Sequence, residues 1–264
     1  MSLISKKPGA LSAGHPTDKG LQYWCEYIEA IRDAIGWDIS LGADHFGRLT
    51  VNDAIRMCNA FEKYSLAYVE DLINYDTPDA MALNKKITDA VNVPTLNGED
   101  MFGVEQFRPW IENHAVDIIH PDMETSGGIL ETKRIGDLAA EHGMQVMFHH
   151  AGSPIGAIAS VHCNCTLSSF VIQENHATEM PWWNDLVTGL PKPIVQNGYI
   201  QVPEKPGLGL DLNDDVMKEH LRYPGYFEPT PQFDFPLVTK IIWQRGPYPH
   251  ITQDGTFRNA RDGE

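Results

Sequence analysis

An incomplete parallel α/β barrel is the fold that this sequence of 264 residues predicts. Six acidic or histidine residues each follow a short apolar, β-like segment, at intervals of 23 to 29 residues: Asp44, Glu70, Glu99, Asp122, His149 and Glu174. An interval of this size accommodates one strand, one helix and two short loops. The repeat is typical of the βα units of a TIM-type barrel, in which the C-terminal ends of the strands meet at one site.

Helical periodicity separates these segments. Residues 18–35 have apolar residues at helical spacing ahead of the first strand, and Thr50 is a candidate N-cap for the next helix. Further helices are predicted between the later strands, over residues 77–91, 103–113, 127–143 and 153–162. A closed barrel needs about eight strands, so the sequence predicts a partial barrel of about six βα units that lacks the first two strands.

Three segments are predicted along the chain. Residues 1–17 contain Gly, Pro and Ser without periodicity and are interpreted as a loop or loose tail. Residues 18–225 form the barrel domain, whose last part closes over the barrel, and residues 226–264 form an extended C-terminal tail.

Composition excludes several classes of protein. The net charge of −16 argues against nucleic acid or an anionic membrane as a partner, because neither would meet a basic patch. No apolar run is long enough to span a membrane, and no segment typical of a signal peptide opens the sequence. The four cysteines form no zinc-type pattern of paired motifs, which favours reduced thiols in a cytoplasmic protein: Cys25, Cys58, Cys163 and Cys165.

Three consecutive strand ends carry carboxylates, namely Asp44, Glu70 and Glu99. Carboxylates that converge repel one another unless a cation lies between them. Hard oxygen ligands of this kind favour Mg²⁺, with Mn²⁺ as a substitute. The alternative is that these are three unrelated surface carboxylates at loop starts.

The next two strand ends carry Asp122 and His149. A carboxylate bonded to one imidazole nitrogen fixes the tautomer and raises the basicity of the other, which predicts a proton-transfer catalyst. The alternative is a structural histidine bonded to a loop carbonyl. Glu174 either binds substrate or is a structural carboxylate. His120 shares a strand face with Asp122 but lies deeper, and is interpreted as a packed interior residue.

Six motifs surround these residues in one order: GADHFG at Asp44, YVEDL at Glu70, LNGED at Glu99, IIHPDMETSGGI at Asp122, FHHAGSPIG at His149 and VIQEN at Glu174. Over residues 18–225 they resemble the mandelate racemase/muconate lactonizing enzyme group of the enolase superfamily. The segment GYIQVPEKPGLGLDL at residues 198–212 is similar to the closing segment of that group.

The resemblance implies specific roles for the same residues. Mg²⁺ would be held by Asp44, Glu70 and Glu99, and the Asp122–His149 pair would act as acid and base. Within the group the sequence looks most like the acid-sugar dehydratases, which remove the proton α to a carboxylate through an enediolate and eliminate the β-hydroxyl. Their Asp-x-His pattern would place a histidine at residue 46, which is Phe here. The neighbouring His45 is therefore the further catalytic candidate, and Glu174 the candidate for binding substrate.

The function that this resemblance implies is a Mg²⁺-dependent dehydratase of a small sugar acid, assembled as a homo-oligomer. The alternatives are a racemase or epimerase of the same superfamily, or a non-catalytic fragment. The group's N-terminal capping domain and first two barrel strands have no counterpart in this sequence. We therefore expect open sheet edges that favour association with another chain, and little activity from this chain by itself.

Overall fold

The computed structural model describes residues 7–12, 15–176, 179–221, 250–251 and 257–258. The chain divides into two compact units, Met1–Asp211 and Leu212–Glu264. The boundary that the sequence predicts between residues 225 and 226 lies outside the described residues and stays a prediction.

The first unit opens with a short hairpin, β1 (Leu11–Ser12) and β2 (His15–Pro16), in the segment predicted as a loop. Helix α1 follows over Asp18–Ile35, with the bounds that the periodicity predicts. Its N-cap is Thr17, whose hydroxyl accepts the backbone N–H of Gly20 at 3.0 Å. Such a cap satisfies a donor that the first helical turn leaves without a partner.

A parallel sheet of six strands follows in chain order, and it curls into part of a barrel. Its strands are β3 (Gly42–Asp44), β4 (Tyr68–Glu70), β5 (Thr95–Asn97), β6 (Ile118–Ile119), β7 (Gln145–Phe148) and β8 (Phe170–Gln173). Each pairs with the next in sequence, so β3 and β8 are the two edges of this sheet. The predicted partial barrel of six βα units is confirmed.

Parallel neighbours need a crossover, and here each crossover is a helix. The helices are α2 (Val51–Phe61), α3 (Ala80–Thr88), α4 (Gly103–Glu112), α5 (Ile129–Glu141) and α6 (Pro154–Asn164). The predicted N-cap Thr50 is confirmed, since its hydroxyl accepts the backbone N–H of Asp53 at 3.3 Å. Helix α3 begins later than residue 77 because Asp79 has a left-handed backbone, with φ of 60°.

Two apolar clusters fill the space between the sheet and its helices. One joins α1, α2 and β4 through residues such as Met57, Phe61 and Val69. The other joins α4, α5 and β7 through residues such as Phe107, Ile135 and Phe148. A third, smaller cluster contains Leu96, Ile118 and Met147, against which Tyr68 packs.

This third cluster forms an apolar floor beneath the ends of the strands. Tyr68, Ile118 and Met147 precede Glu70, His120 and His149 by two residues, so each pair shares one strand face. The polar side chains of the predicted site therefore stand above an apolar layer on the inner face of the sheet.

Beyond β8 the first unit continues as a 3₁₀ turn (Trp183–Leu186) with β9 (Val187–Thr188), then a hairpin of β10 (Val195–Gln196) and β11 (Tyr199–Ile200). Trp183 and Val187 pack on Ile158 of α6, and the Trp183 indole donates to the Gly152 carbonyl at 3.0 Å. Ile200, Leu208 and Leu210 of the predicted closing segment pack against the same cluster.

The strand β12 (Asp211–Leu212) lies at the unit boundary, and the second unit then contains α7 (Asp214–Glu219) and a pair of short antiparallel strands, β13 (His250–Ile251) and β14 (Phe257–Arg258). Most of the predicted tail, residues 226–264, lies outside the described residues. In the part that the structure describes, no helix combines the length and the apolar character that crossing a bilayer requires.

Candidate active site

Asp122 and His149 form a hydrogen-bonded pair at neighbouring strand ends. His149 directly follows β7, and an isolated parallel bridge joins it to Asp122 beyond the end of β6. Nδ1 of His149 lies 2.6 Å from Oδ2 of Asp122, while Oδ1 of Asp122 accepts the backbone N–H groups of Glu124 and Thr125. Burial opposes ionisation of Asp122, but these hydrogen bonds outweigh it and lower its pKa. An ionised Asp122 holds the proton of His149 on Nδ1, so Nε2 faces the centre of the site.

The environment of Nε2 favours a proton there. Nε2 of His149 lies 3.2 Å from Oε2 of Glu99 and 3.6 Å from Oε2 of Glu174. Burial alone would lower the pKa of His149, but Asp122, Glu99 and Glu174 together raise it above its usual value. His149 can therefore carry a proton at an atom that faces the site.

His120 lies at the floor of this site, next to His149. The two rings meet edge to face, with centroids 5.5 Å apart. Nδ1 of His120 is 2.9 Å from the Met147 carbonyl, and Nε2 is 3.1 Å from Oε1 of Glu70 and 3.6 Å from Oε2 of Glu174. The interpretation as a packed interior residue is correct for burial, since His120 is 0% exposed. That interpretation did not include the contacts of His120 with Glu70 and Glu174. The strand face that His120 shares with Asp122 indicated that such contacts could form.

Glu70 and Glu99 lie together, with His120 as the third member of their group. Within the described residues, one ligand atom from each of these three lies within 4.8 Å of the others. Burial and the charge of Glu70 raise the pKa of Glu99 to about 7, although His149 opposes this. Two carboxylates and one imidazole are donors that divalent cations accept, so the residues present fit such an ion.

Asp44 lies beside this group but is not a member of it. It pairs in register with Glu70 across β3 and β4, and its Oδ1 accepts the backbone N–H of Phe46 at 2.9 Å. Partial burial, together with the charges of Glu70 and Glu174, raises the pKa of Asp44. Asp44 thus shares the electrostatic field of the site, and its predicted role as a ligand stays a prediction.

Glu174 is surrounded by three imidazoles. Besides His120 and His149, it contacts His176, whose Nε2 lies 2.6 Å from Oε1 of Glu174. Burial opposes ionisation, but these histidines lower the pKa of Glu174 to about 2. Glu174 is therefore an ionised carboxylate in contact with all three rings. Its predicted role in binding substrate stays a prediction.

Asp71 is a titratable neighbour that the sequence did not reveal. It follows Glu70 and would point to the opposite face if the strand continued, but its φ of 46° ends the extended backbone. Burial and the charges of Glu99 and Glu70 raise the pKa of Asp71 to about 8. No local pattern in YVEDL indicated this turn.

The structure does not bring His45 to the other candidates. Its ring is buried between Trp24 and Phe61, with centroid distances of 6.0 Å and 6.4 Å. Burial lowers the pKa of His45 to about 3, so the ring is neutral. Residues alternate between the two faces of a strand, and Asp44 and His45 are neighbours that lie on opposite faces. The predicted catalytic role of His45 has no support from this position.

Comparison with known proteins places the chain in a family. Residues 11–216 match the family described as enolase C-terminal domain-like. The chain belongs to this enolase family. Among its relatives, D-xylonate dehydratase of Haloferax volcanii is 31% identical over 217 residues, covering 79% of this chain and 52% of the relative. The D-gluconate/D-galactonate dehydratase of Picrophilus torridus is 30% identical over 210 residues, with the same coverage of 79% and 52%.

Solved structures of the enolase superfamily have the same fold. A mandelate racemase/muconate lactonizing enzyme-like protein from Rubrobacter xylanophilus superposes with a TM-score of 0.75 at 29% identity, covering 78% of this chain and 52% of that protein. The chain therefore spans about half the length of the relatives and structures that it matches.

Proposed function

We propose that this chain carries the catalytic barrel portion of a metal-dependent acid-sugar dehydratase, a hydro-lyase. The observation that supports it most is the 2.6 Å hydrogen bond between Asp122 and His149, which directs Nε2 of His149 toward the group of Glu70, Glu99 and His120. A proton donor and an anionic donor set thus face each other at the ends of the strands.

Glu70 and Glu99 would hold the cation together with Asp44, which lies opposite Glu70. The ion of this proposal is Mg²⁺, with Mn²⁺ as a substitute. When bound, such an ion supplies Lewis acidity toward a substrate carboxylate and so makes the proton on the adjacent carbon easier to remove.

A base takes the α-proton, and His149 would donate the proton that the departing β-hydroxyl needs to leave as water, so the products are water and the enol of a 2-keto-3-deoxy acid. Asp122 keeps the ring oriented, with Nδ1 as donor, and stabilises its protonated form. The carboxylates of Asp122, Glu99 and Glu174 raise the pKa of His149 against the effect of burial, which favours its protonated form and suits the acid step.

The relatives support a small sugar acid as the substrate class, since two of them are named for xylonate and for gluconate or galactonate. A homo-oligomeric state and a cytoplasmic location belong to the same proposal. The relatives are about twice as long as the matched region, so activity of this chain by itself is part of what must be tested.

The experiment is a direct assay of water loss. The chain is incubated with Mg²⁺ and with xylonate, gluconate or galactonate, and the 2-keto-3-deoxy acid is measured for the wild type, His149→Asn and a control, His142→Asn. His142 caps the C-terminal end of α5, and helix C-termini lie at the opposite edge of such a sheet.

We expect a low rate of product formation from at least one acid, a further loss of about 10²–10⁴-fold for His149→Asn, and little change for the control. Inversion at the α-carbon without water loss would instead identify a racemase or epimerase. Absence of both reactions would favour a non-catalytic fragment, and full activity of His149→Asn would rule out its role.

A further inference from the structure

His120 differs from the other buried histidines because one of its nitrogens is fixed and the other faces carboxylates. We propose that Nε2 of His120 is itself a ligand of the metal ion, so that the ion is held by nitrogen as well as oxygen. This inference rests on the proposed function, since it concerns the identity of the ion at the same site.

The tautomer of His120 follows from its hydrogen bond. Nδ1 lies 2.9 Å from the Met147 carbonyl, and a carbonyl oxygen only accepts, so Nδ1 carries the proton. When the ring is neutral, its lone pair is then on Nε2. Histidines that bind metals almost always donate their other N–H in this way, often to a backbone carbonyl.

The surroundings of Nε2 contain the remaining donors. Oε1 of Glu70 lies 3.1 Å away, and Glu99 completes a group whose ligand atoms lie within 4.8 Å of one another. Among the described residues, Nε2 of this fully buried ring has no hydrogen bond of acceptable geometry. Its contact with Glu70 is close but poorly directed, and coordination of an ion would give this buried nitrogen a directed bond.

The rival arrangement is a protonated His120 that forms an ion pair with Glu70 and Glu174 and leaves the metal to oxygen ligands alone. The same distances, 3.1 Å to Glu70 and 3.6 Å to Glu174, would serve it. The two arrangements differ in whether Nε2 is bonded to the ion, which can be observed directly.

A nitrogen ligand changes which ion the site prefers. Mg²⁺ binds through oxygen and keeps several waters, whereas first-row transition dications accept imidazole. We therefore expect Mn²⁺ to bind at least about 10-fold more tightly than Mg²⁺, an order that follows from the donor set.

The experiment uses Mn²⁺ as the probe, in two measurements on the full chain. Pulsed electron paramagnetic resonance detects histidine nitrogen bonded to Mn²⁺, and calorimetry compares the affinities for Mn²⁺ and Mg²⁺. The variants are His120→Gln, Glu70→Gln, and a double variant His149→Asn/His176→Asn that removes the other two rings near Glu174.

We expect nitrogen coupling in the wild type and in the double variant, and its loss in His120→Gln with about a 10–100-fold loss of Mn²⁺ affinity. The double variant keeps His120, so coupling that persists there assigns the nitrogen to this residue even if His120→Gln fails to fold. Wild-type protein without coupling, or coupling lost in the double variant, would overturn the inference.

The Glu70→Gln variant separates this inference from the proposed function. If the variant loses Mg²⁺ and Mn²⁺ while the wild type shows no coupling, the oxygen site stands and His120 is not a ligand. If Glu70→Gln binds both ions like the wild type, or if the wild type binds neither ion, the metal site of the proposed function fails together with this inference.

Discussion

Histidines on the two faces of the parallel sheet have pKa values shifted in opposite directions. His149 and His150 are neighbours at the end of β7, yet the pKa of His149 is raised by its carboxylate partners and that of His150 is lowered by burial. Asp44 and His45 are divided in the same manner at the end of β3, where the pKa of His45 falls to about 3. A shift of one position along a strand thus decides whether an imidazole can exchange protons or packs as an apolar ring.

Contacts of similar length also differ in burial between the inner face of the sheet and the helical surface. His149 and Asp122 are 2.6 Å apart in the site, and Lys133 and Asp137 are 2.5 Å apart on α5. The first pair is mostly buried and is held by further hydrogen bonds, whereas the second lies at the surface, with Asp137 52% exposed. Distance alone therefore does not predict how much each interaction contributes, and the predictions below test whether burial does.

The largest effect is expected from Asp122→Asn. An amide cannot hold His149 with the same tautomer and charge, so turnover in sugar-acid dehydration should fall by about 10²–10⁴-fold. Steady-state kinetics measures this, with Asp137→Asn on the surface of α5 as the matched control. Equal losses in the two variants, or none in Asp122→Asn, would contradict the difference between the two faces.

A smaller effect is expected for metal binding in Glu99→Gln. The substitution removes a charged oxygen from the group of Glu70, Glu99 and His120. We expect the affinity for a divalent ion to fall by about 10–100-fold in calorimetry. The exposed helical variant Glu112→Gln should bind as the wild type does, and a similar loss there would point to general loss of negative charge instead.

Sequence alone predicted the features that depend on local patterns. Strands β3 and β4 end at Asp44 and Glu70 as expected, helix α1 has the predicted bounds, and Thr50 caps α2. These follow from alternation, from 3.6-residue periodicity and from the preference of Thr for N-caps. The Asp122–His149 hydrogen bond also has the expected partners, because both follow strands that lie side by side.

The positions of the other site residues depend on contacts between neighbouring strands and on backbone turns, which local sequence patterns do not encode. Glu99 lies two residues beyond β5 because the chain leaves the strand at Gly98, where φ is 136° and a Cβ would approach Phe107 to 2.8 Å. His120 keeps the strand face of Ile118, but its distance of 3.1 Å to Glu70 depends on the neighbouring strands, which no local pattern records. Asp71 has a left-handed backbone, with φ of 46°. Few residues other than glycine adopt this conformation, and nothing in the strand-like sequence around Asp71 indicates it.

On the outer face, His45→Phe should stabilise the protein by about 1 kcal/mol at neutral pH, because Nε2 of His45 is buried without a partner. The phenyl ring suits a position between Trp24 and Phe61. Denaturant unfolding measures the change, and turnover should stay unchanged. Reduced turnover would restore the catalytic role that the sequence suggested for His45.

The same variant has a pH signature. The pKa of His45 is about 3 in the folded protein and about 6.5 unfolded, so the folded state disfavours the proton. The stability that this provides is fully present above pH 6.5 and is lost as the pH falls toward 3. The advantage of His45→Phe over the wild type should therefore grow between pH 6.5 and 4. A gap independent of pH would show that the ring is not desolvated.

The smallest effect is expected from Lys133→Ala on α5. Its ion pair with Asp137 is short, at 2.5 Å, but the pair is solvated and spans four residues of one helix. Such pairs contribute about 0.3–0.5 kcal/mol, and salt screens them. Denaturant unfolding at low and high salt should give a small difference that disappears at high salt. Lys133→Ala should cost less stability than the loss of the similarly short Asp122–His149 contact, because the latter is buried. Equal losses would show that distance matters more than burial, which would contradict the difference between the inner face of the sheet and the helical surface.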